Sequence, residues 1–136
     1  LALAALEAAS RRGWRVPMVQ QASAAAALAQ GRYDAAAQRI AALFAAGDTR
    51  DQALDLAREL LAEPEGRTAF AAMLASRGHW QDGTLEPLSR AVDPDNFALT
   101  LEQAHLACSR TVSIADRFES AGSTQAAAIL RRSCAN

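Results

Sequence analysis

Lysine is missing altogether from this 136-residue chain: the fourteen basic residues are all arginine. This reads as the codon usage of a GC-rich bacterial genome rather than a demand for guanidinium geometry. Fifteen carboxylates bring the net charge to −1, which leaves no overall field to attract nucleic acid or an anionic membrane. No apolar run approaches the ~18 residues of a membrane-spanning helix. Runs of β-branched residues, the mark of strands, are almost absent, and aromatic residues make up only 5% of the chain. A phosphate-binding glycine loop, a His-Glu-x-x-His zinc motif and a nucleophile elbow are all missing. No catalytic residue, metal or cofactor is therefore assigned.

What is present is alanine, the bulk of a 51% hydrophobic content. Alanine loses no side-chain entropy in a helix and lets helices approach closely. A chain of this length buries roughly two-thirds of its unfolded surface as one domain. The expected fold is all-α: a single domain over residues 1–136, a compact bundle or short superhelix of about seven antiparallel helices. The opening "LALAALEAAS" contains Glu7 and lacks a basic flank, so it reads as a helix and not a signal peptide. A start at Leu1 predicts that a leader, tag or neighbouring domain has been removed upstream.

Punctuation sets the helix boundaries. The first helix stops before Gly13, and Pro17 opens a second that closes at Gly31. A third runs from about Asp34 to Ala46. Thr49 and Gln52 have capping-box spacing for a fourth, whose apolar face is Ala53, Leu56, Ala57, Leu60 and Leu61. A fifth, about 65–77, presents Phe70, Met73 and Leu74. Gly83 and Pro87 weaken the next segment, and Asp93, Pro94 and Asp95 form a strong turn signal. The spacing then predicts one long helix over 97–120 with Leu101, Ala104, Cys108, Val112, Ala115 and Phe118 in its stripe. Gly122 ends it, and the last helix carries Ala126, Leu130 and Cys134 at i, i+4 steps.

Gly31, Tyr33, Ala36, Ile40 and Leu43 follow one another as glycine turn, aromatic, small residue and large apolar residues. This order resembles the second half of a tetratricopeptide repeat. Gly78 and Trp80 echo Gly31 and Tyr33 at a distance of 47 residues, with Gly83 following and "RAVDPDN" as a closing turn. Pro87 stands where the family has a large apolar residue, and 47 residues exceeds the family's 34. The likeness covers about a third of the chain. It implies a stack of helix hairpins whose concave face binds a peptide or partner helix.

Cys108 and Cys134 lie 13.5 and 12.5 residues either side of a hairpin turn placed between Ala121 and Gly122. They are thus level to within about 1.5 Å. Closely packed helices leave about 4–5 Å between facing Cα atoms, near the disulfide range. A Cys108–Cys134 disulfide is expected, closing a loop worth about 3–4 kcal/mol. It would place the protein in the periplasm or outside the cell, the alternative being buried thiols in the cytoplasm. His105, three residues before Cys108, has metal-chelating spacing but reads as an ordinary helix histidine.

The expected function is non-catalytic binding of another protein or peptide, as an adaptor, a chaperone-like carrier or a toxin-immunity type of inhibitor. The candidate contact residues are the aromatic and basic side chains near the turns: Trp14, Tyr33, His79 and Trp80, with Arg11, Arg12 and Arg15 around Trp14. The alternative is a small secreted helical enzyme, or an accessory domain of one. Nucleic-acid binding through the three arginines is weaker, given the balanced charge.

Overall fold

A computed structural model describes residues 17–47, 50–76, 81 and 83–135. Every regular element among them is helical. In chain order these are α1 (Pro17–Ala29), α2 (Tyr33–Ala46), α3 (Arg50–Leu61), α4 (Pro64–Ala75), α5 (Leu85–Ala91), α6 (Pro94–Ala104), α7 (Cys108–Ser120) and α8 (Thr124–Ala135). The helix expected before Gly13 and the Thr49 cap lie outside the described residues. Among the described residues, no helix is long and apolar enough to cross a membrane.

Two hairpin turns use the same device. Gly31 (φ 71°) ends α1 and Gly122 (φ 88°) follows α7, both left-handed, a conformation that costs a side chain with Cβ about 1–2 kcal/mol. In each turn the next amide reaches back five residues, from Arg32 to the Ala27 carbonyl (2.9 Å) and from Ser123 to that of Phe118 (2.8 Å). Proline opens other helices where its missing N–H costs nothing: Pro64 begins α4 and Pro94 begins α6. The Asp93 carboxylate caps α6 by accepting a hydrogen bond from the Asn96 amide at 3.1 Å. Pro87 is tolerated because α5 has only seven residues and Pro87 falls in its first turn.

The long helix expected over 97–120 is two. α6 ends at Ala104, His105 takes a left-handed conformation (φ 55°), and α7 begins at Cys108. The physical reason is aromatic packing. In a straight helix Phe97 and Phe118 would stand about 31 Å apart along the axis. The break folds α7 back, so that the two rings meet edge to face with centroids 6.4 Å apart. Consequently Cys108 and Val112 leave the predicted apolar stripe and are exposed, whereas Leu101, Ala104, Ala115 and Phe118 are buried.

One apolar cluster runs through all eight helices, with Phe70, Phe97, Ile40, Leu43, Leu60, Leu61 and Leu101 essentially sealed. The even-numbered helices pack in a row, α2 on α4, α4 on α6 and α6 on α8. Among the odd-numbered helices, α3 packs on α1 and on α5, and α7 lies on α8. The row begins its helices at residues 33, 64, 94 and 124, spacings of 31, 30 and 30.

Arginines tie these elements together. Arg58 donates to the Ala91 carbonyl at the end of α5 (2.8 Å). Arg67 donates to the Leu61 carbonyl (3.0 Å) and the Asn96 side chain (3.2 Å), joining α3, α4 and α6. Arg117 reaches Ser89 at 3.1 Å, and Arg131 spans α8 to Asp116 and Glu119 of α7 at 2.7 and 2.9 Å. Hydrogen bonds to Glu119 and then Asp116 hold the Arg131 guanidinium above its usual pKa.

Candidate functional site

The start of α2 is fixed by the Gly31 turn, which turns the chain sharply before Tyr33. Tyr33 is half-buried, its ring packed against the core, while Arg32 and Asp34 on either side are exposed. The first turns of α4 come alongside. Together Arg32, Tyr33, Asp34, Glu65 and Thr68 line an open depression of about 570 Å³, with Gly31, Ala35 and Ala69 as its small residues. A pocket with an aromatic wall, small residues and a charged rim has the makings of a side-chain-binding recess. Its carboxylates, Asp34 and Glu65, stand in the first turns of α2 and α4, where the helix dipole also favours them.

Gly66 keeps this region tight. A Cβ there would stand 1.9 Å from the Leu60 carbonyl oxygen, so α4 is pressed against the end of α3 as only glycine permits. The two-residue connection Ala62–Glu63 makes this approach obligatory. No turn signal marks Gly66 in the sequence, because the requirement comes from a neighbouring helix.

Of the expected contact residues, Tyr33 is the one that the structure describes. Trp14, Arg11, Arg12, Arg15, His79 and Trp80 lie outside the described residues. Gly31 and Tyr33 are thus described, whereas Gly78 and Trp80, which echo them 47 residues later, lie outside the described residues.

Cys108 and Cys134 form the expected disulfide, with Cα atoms 5.6 Å apart. It binds the first residue of α7 to the last turn of α8, and Cys108 is exposed rather than on the apolar face. Nearby, Glu102, His105, Arg132 and Ser133 line a depression of about 410 Å³. Glu102 and His105 have Glu-x-x-His spacing, a signal that the motif reading passes over. They supply one carboxylate and one imidazole rather than a convergent pair of acids. Groups of three or more His, Cys, Asp or Glu suited to a metal ion are absent among the described residues.

The exposed large apolar side chains described are Met18 on α1 and Val112 on α7, single residues rather than a patch. No protein-family model matches the chain, and neither a curated protein nor a solved structure matches it with significance.

Proposed function

We propose that this chain is a binding module that takes a side chain or short segment of a partner protein into the recess between α2 and α4. The supporting observation is the half-buried Tyr33 in an open depression with a charged rim. Tyrosine suits such a role because it offers a large rigid surface and a polar tip. The row of even helices spaced by 30–31 residues supports a stack of helix hairpins akin to the tetratricopeptide architecture, in which shallow surfaces between helices hold peptides. The disulfide is compatible with function in an oxidising compartment, the periplasm or the exterior.

A photo-crosslinking amino acid placed at Asp34 or at Glu65 tests the reading in the native host. Both positions should give the same crosslinked partner, and Tyr33→Phe or Tyr33→Ala should abolish it without changing the melting temperature by more than the lost packing. The same probe at exposed Ala128 on α8 serves as control. Identical products from Ala128 and from the recess would refute the site.

A further inference from the structure

One of the seven connections between the described helices is built unlike the rest. Four contain a glycine (Gly31, Gly47, Gly83 and Gly122), and in two the following helix opens with a proline (Pro64 and Pro94). Residues 105–107, His-Leu-Ala between α6 and α7, have neither. The turn there rests on His105, the one non-glycine residue with a positive φ among those described (55°). Leucine and alanine are strong helix formers, and α7 starts from Ala107 without a side-chain cap. The apolar stripe of Leu101, Ala104, Cys108, Ala115 and Phe118 steps across the break without a change of period. Local sequence thus favours one continuous helix over residues 94–120, and only the contacts of the folded-back α7 keep the turn closed.

Beyond that break α7 and α8 form a unit of their own. They pack on each other, Arg131 of α8 bridges to Asp116 and Glu119 of α7, and the disulfide joins their ends. The unit meets the rest of the fold through α8 on α6, Phe118 on Phe97 and Arg117 on Ser89. Each of these contacts can be made just as well to the same residues of another copy. The midpoint between Phe97 and Phe118 falls between residues 107 and 108, at the edge of the break. Two straightened helices, each about 40 Å long, that cross antiparallel at that level set Phe97 of each beside Phe118 of the other.

We propose that residues 105–107 are a swap hinge: the turn straightens, and the α7–α8 unit docks on α6 of a second copy of this chain, giving a two-fold dimer. Short hinges under strain favour this exchange. The disulfide stays within each α7–α8 unit, so the dimer contains no covalent bond between chains. Straightening relieves the left-handed backbone at His105, a gain of about five- to thirtyfold in population per copy. Leu106 opposes it, since this side chain packs on the core in the closed turn and lies opposite Phe97 on a straight helix.

To test this, the oxidised chain is held at millimolar concentration in urea just below its unfolding transition, returned to buffer and separated by size exclusion with light scattering. A dimer is expected that runs as a monomer on a non-reducing denaturing gel. In dimer assembled from isotope-labelled and unlabelled chains, isotope-filtered NOEs should connect the Phe97 ring of one chain to the Phe118 ring of the other. His105→Gly relaxes the closed turn in both copies, so it should weaken the dimer by the square of the single-copy factor, about 25-fold or more. Leu106→Ala removes the side chain that the closed turn covers and should strengthen the dimer. The two variants thus move the equilibrium in opposite directions, which general destabilisation would not do. Absence of a dimer, a disulfide-linked dimer, or Phe97–Phe118 NOEs confined to one chain overturns the proposal. So does a His105→Gly chain that dimerises as readily as the parent, or a Leu106→Ala chain that dimerises no better.

Discussion

Gly66→Ala is the sharpest perturbation that this fold offers, because propensity and packing predict opposite signs. Residue 66 lies in the first turn of α4, and alanine there gains roughly 1 kcal/mol of helix propensity over glycine. A site open to solvent would therefore be stabilised. Here the new Cβ would stand 1.9 Å from the Leu60 carbonyl oxygen and 2.9 Å from its carbon. An ordinary carbon–oxygen contact takes about 3.3 Å, so the helices must part by roughly 1.4 Å at backbone atoms that no rotamer change can move. That carbonyl accepts from the Glu63 amide at 3.2 Å, and Leu60 and Leu61 are fully buried. Separation thus loosens the corner and the core at once. Overpacking that shifts backbone costs about 1–3 kcal/mol; taking the upper part of that range and subtracting the propensity gain, we expect a net loss of about 1–2 kcal/mol. Urea unfolding followed by helical circular dichroism measures it, with an unchanged m-value showing that stability alone has moved. Gly83→Ala is the control: nothing lies within 4 Å of its Cβ position and its φ is not left-handed, so its effect should lie between neutral and about 1 kcal/mol stabilising. A Gly66→Ala protein as stable as the parent would refute the packing argument.

Arg67→Lys should cost about 1 kcal/mol, because an ammonium cannot serve both the Leu61 carbonyl and Asn96 as the guanidinium does; Arg67→Ala should cost more, and the same unfolding experiment ranks the two. Asp93→Ala removes the cap of α6 and should cost about 1 kcal/mol, whereas Asp93→Asn and Asp93→Ser should recover most of it. Paired Cys108→Ser and Cys134→Ser substitutions release a loop with a sequence separation of 26 residues and should lower stability by about 3 kcal/mol while leaving the helical spectrum intact, read by thermal melting with and without reductant. Arg131 contributes no pH dependence near neutrality: its pKa is raised in the fold, so the associated stability is fully present below the unfolded value and is lost only in strong alkali. A change in melting temperature of Arg131→Gln relative to the parent that varies between pH 7 and 9 would contradict this.

The interior of the fold was legible because burial on a helix repeats at fixed steps. Ala53, Leu56, Ala57, Leu60 and Leu61 are all buried, as are Phe70, Leu74, Ala126 and Leu130. The disulfide was legible for a related reason: rise per residue and the position of the Gly122 turn suffice to level two cysteines. The break at His105 was not, since neither glycine nor proline occurs at 105–107 and the apolar period continues to Cys108. Only the partner of Phe97, 21 residues later in the chain, explains why the helix folds there. The arginines teach the same lesson in charge. Composition accounts for their abundance over lysine, yet Arg58, Arg67 and Arg117 each make a defined bond between helices that no pairwise spacing in the sequence announces.

The candidate recess shows how corner residues and core residues answer to different constraints. Gly31 and Tyr33 are echoed after 47 residues by Gly78 and Trp80, which lie outside the described residues, while packing in the even row follows 30–31 residues. The four helices of that row start as Tyr33-Asp34, Pro64-Glu65, Pro94-Asp95 and Thr124-Gln125, which share no single residue. Burial further in pairs alternate helices: α2 and α6 bury their fourth, fifth, eighth and eleventh residues (Ala36, Ala37, Ile40, Leu43; Phe97, Ala98, Leu101, Ala104), whereas α4 and α8 bury their third, sixth and seventh (Gly66, Ala69, Phe70; Ala126, Ile129, Leu130). Core positions answer to helix-on-helix contact and so recur in alternate helices of the row. Corner residues answer to the local turn, where glycine, proline–acid and serine–threonine solutions serve equally well. A recess formed between two helix starts therefore takes its shape from the row and its chemistry from the corners. For that reason Tyr33 can line a binding surface without any equivalent residue at the other three helix starts.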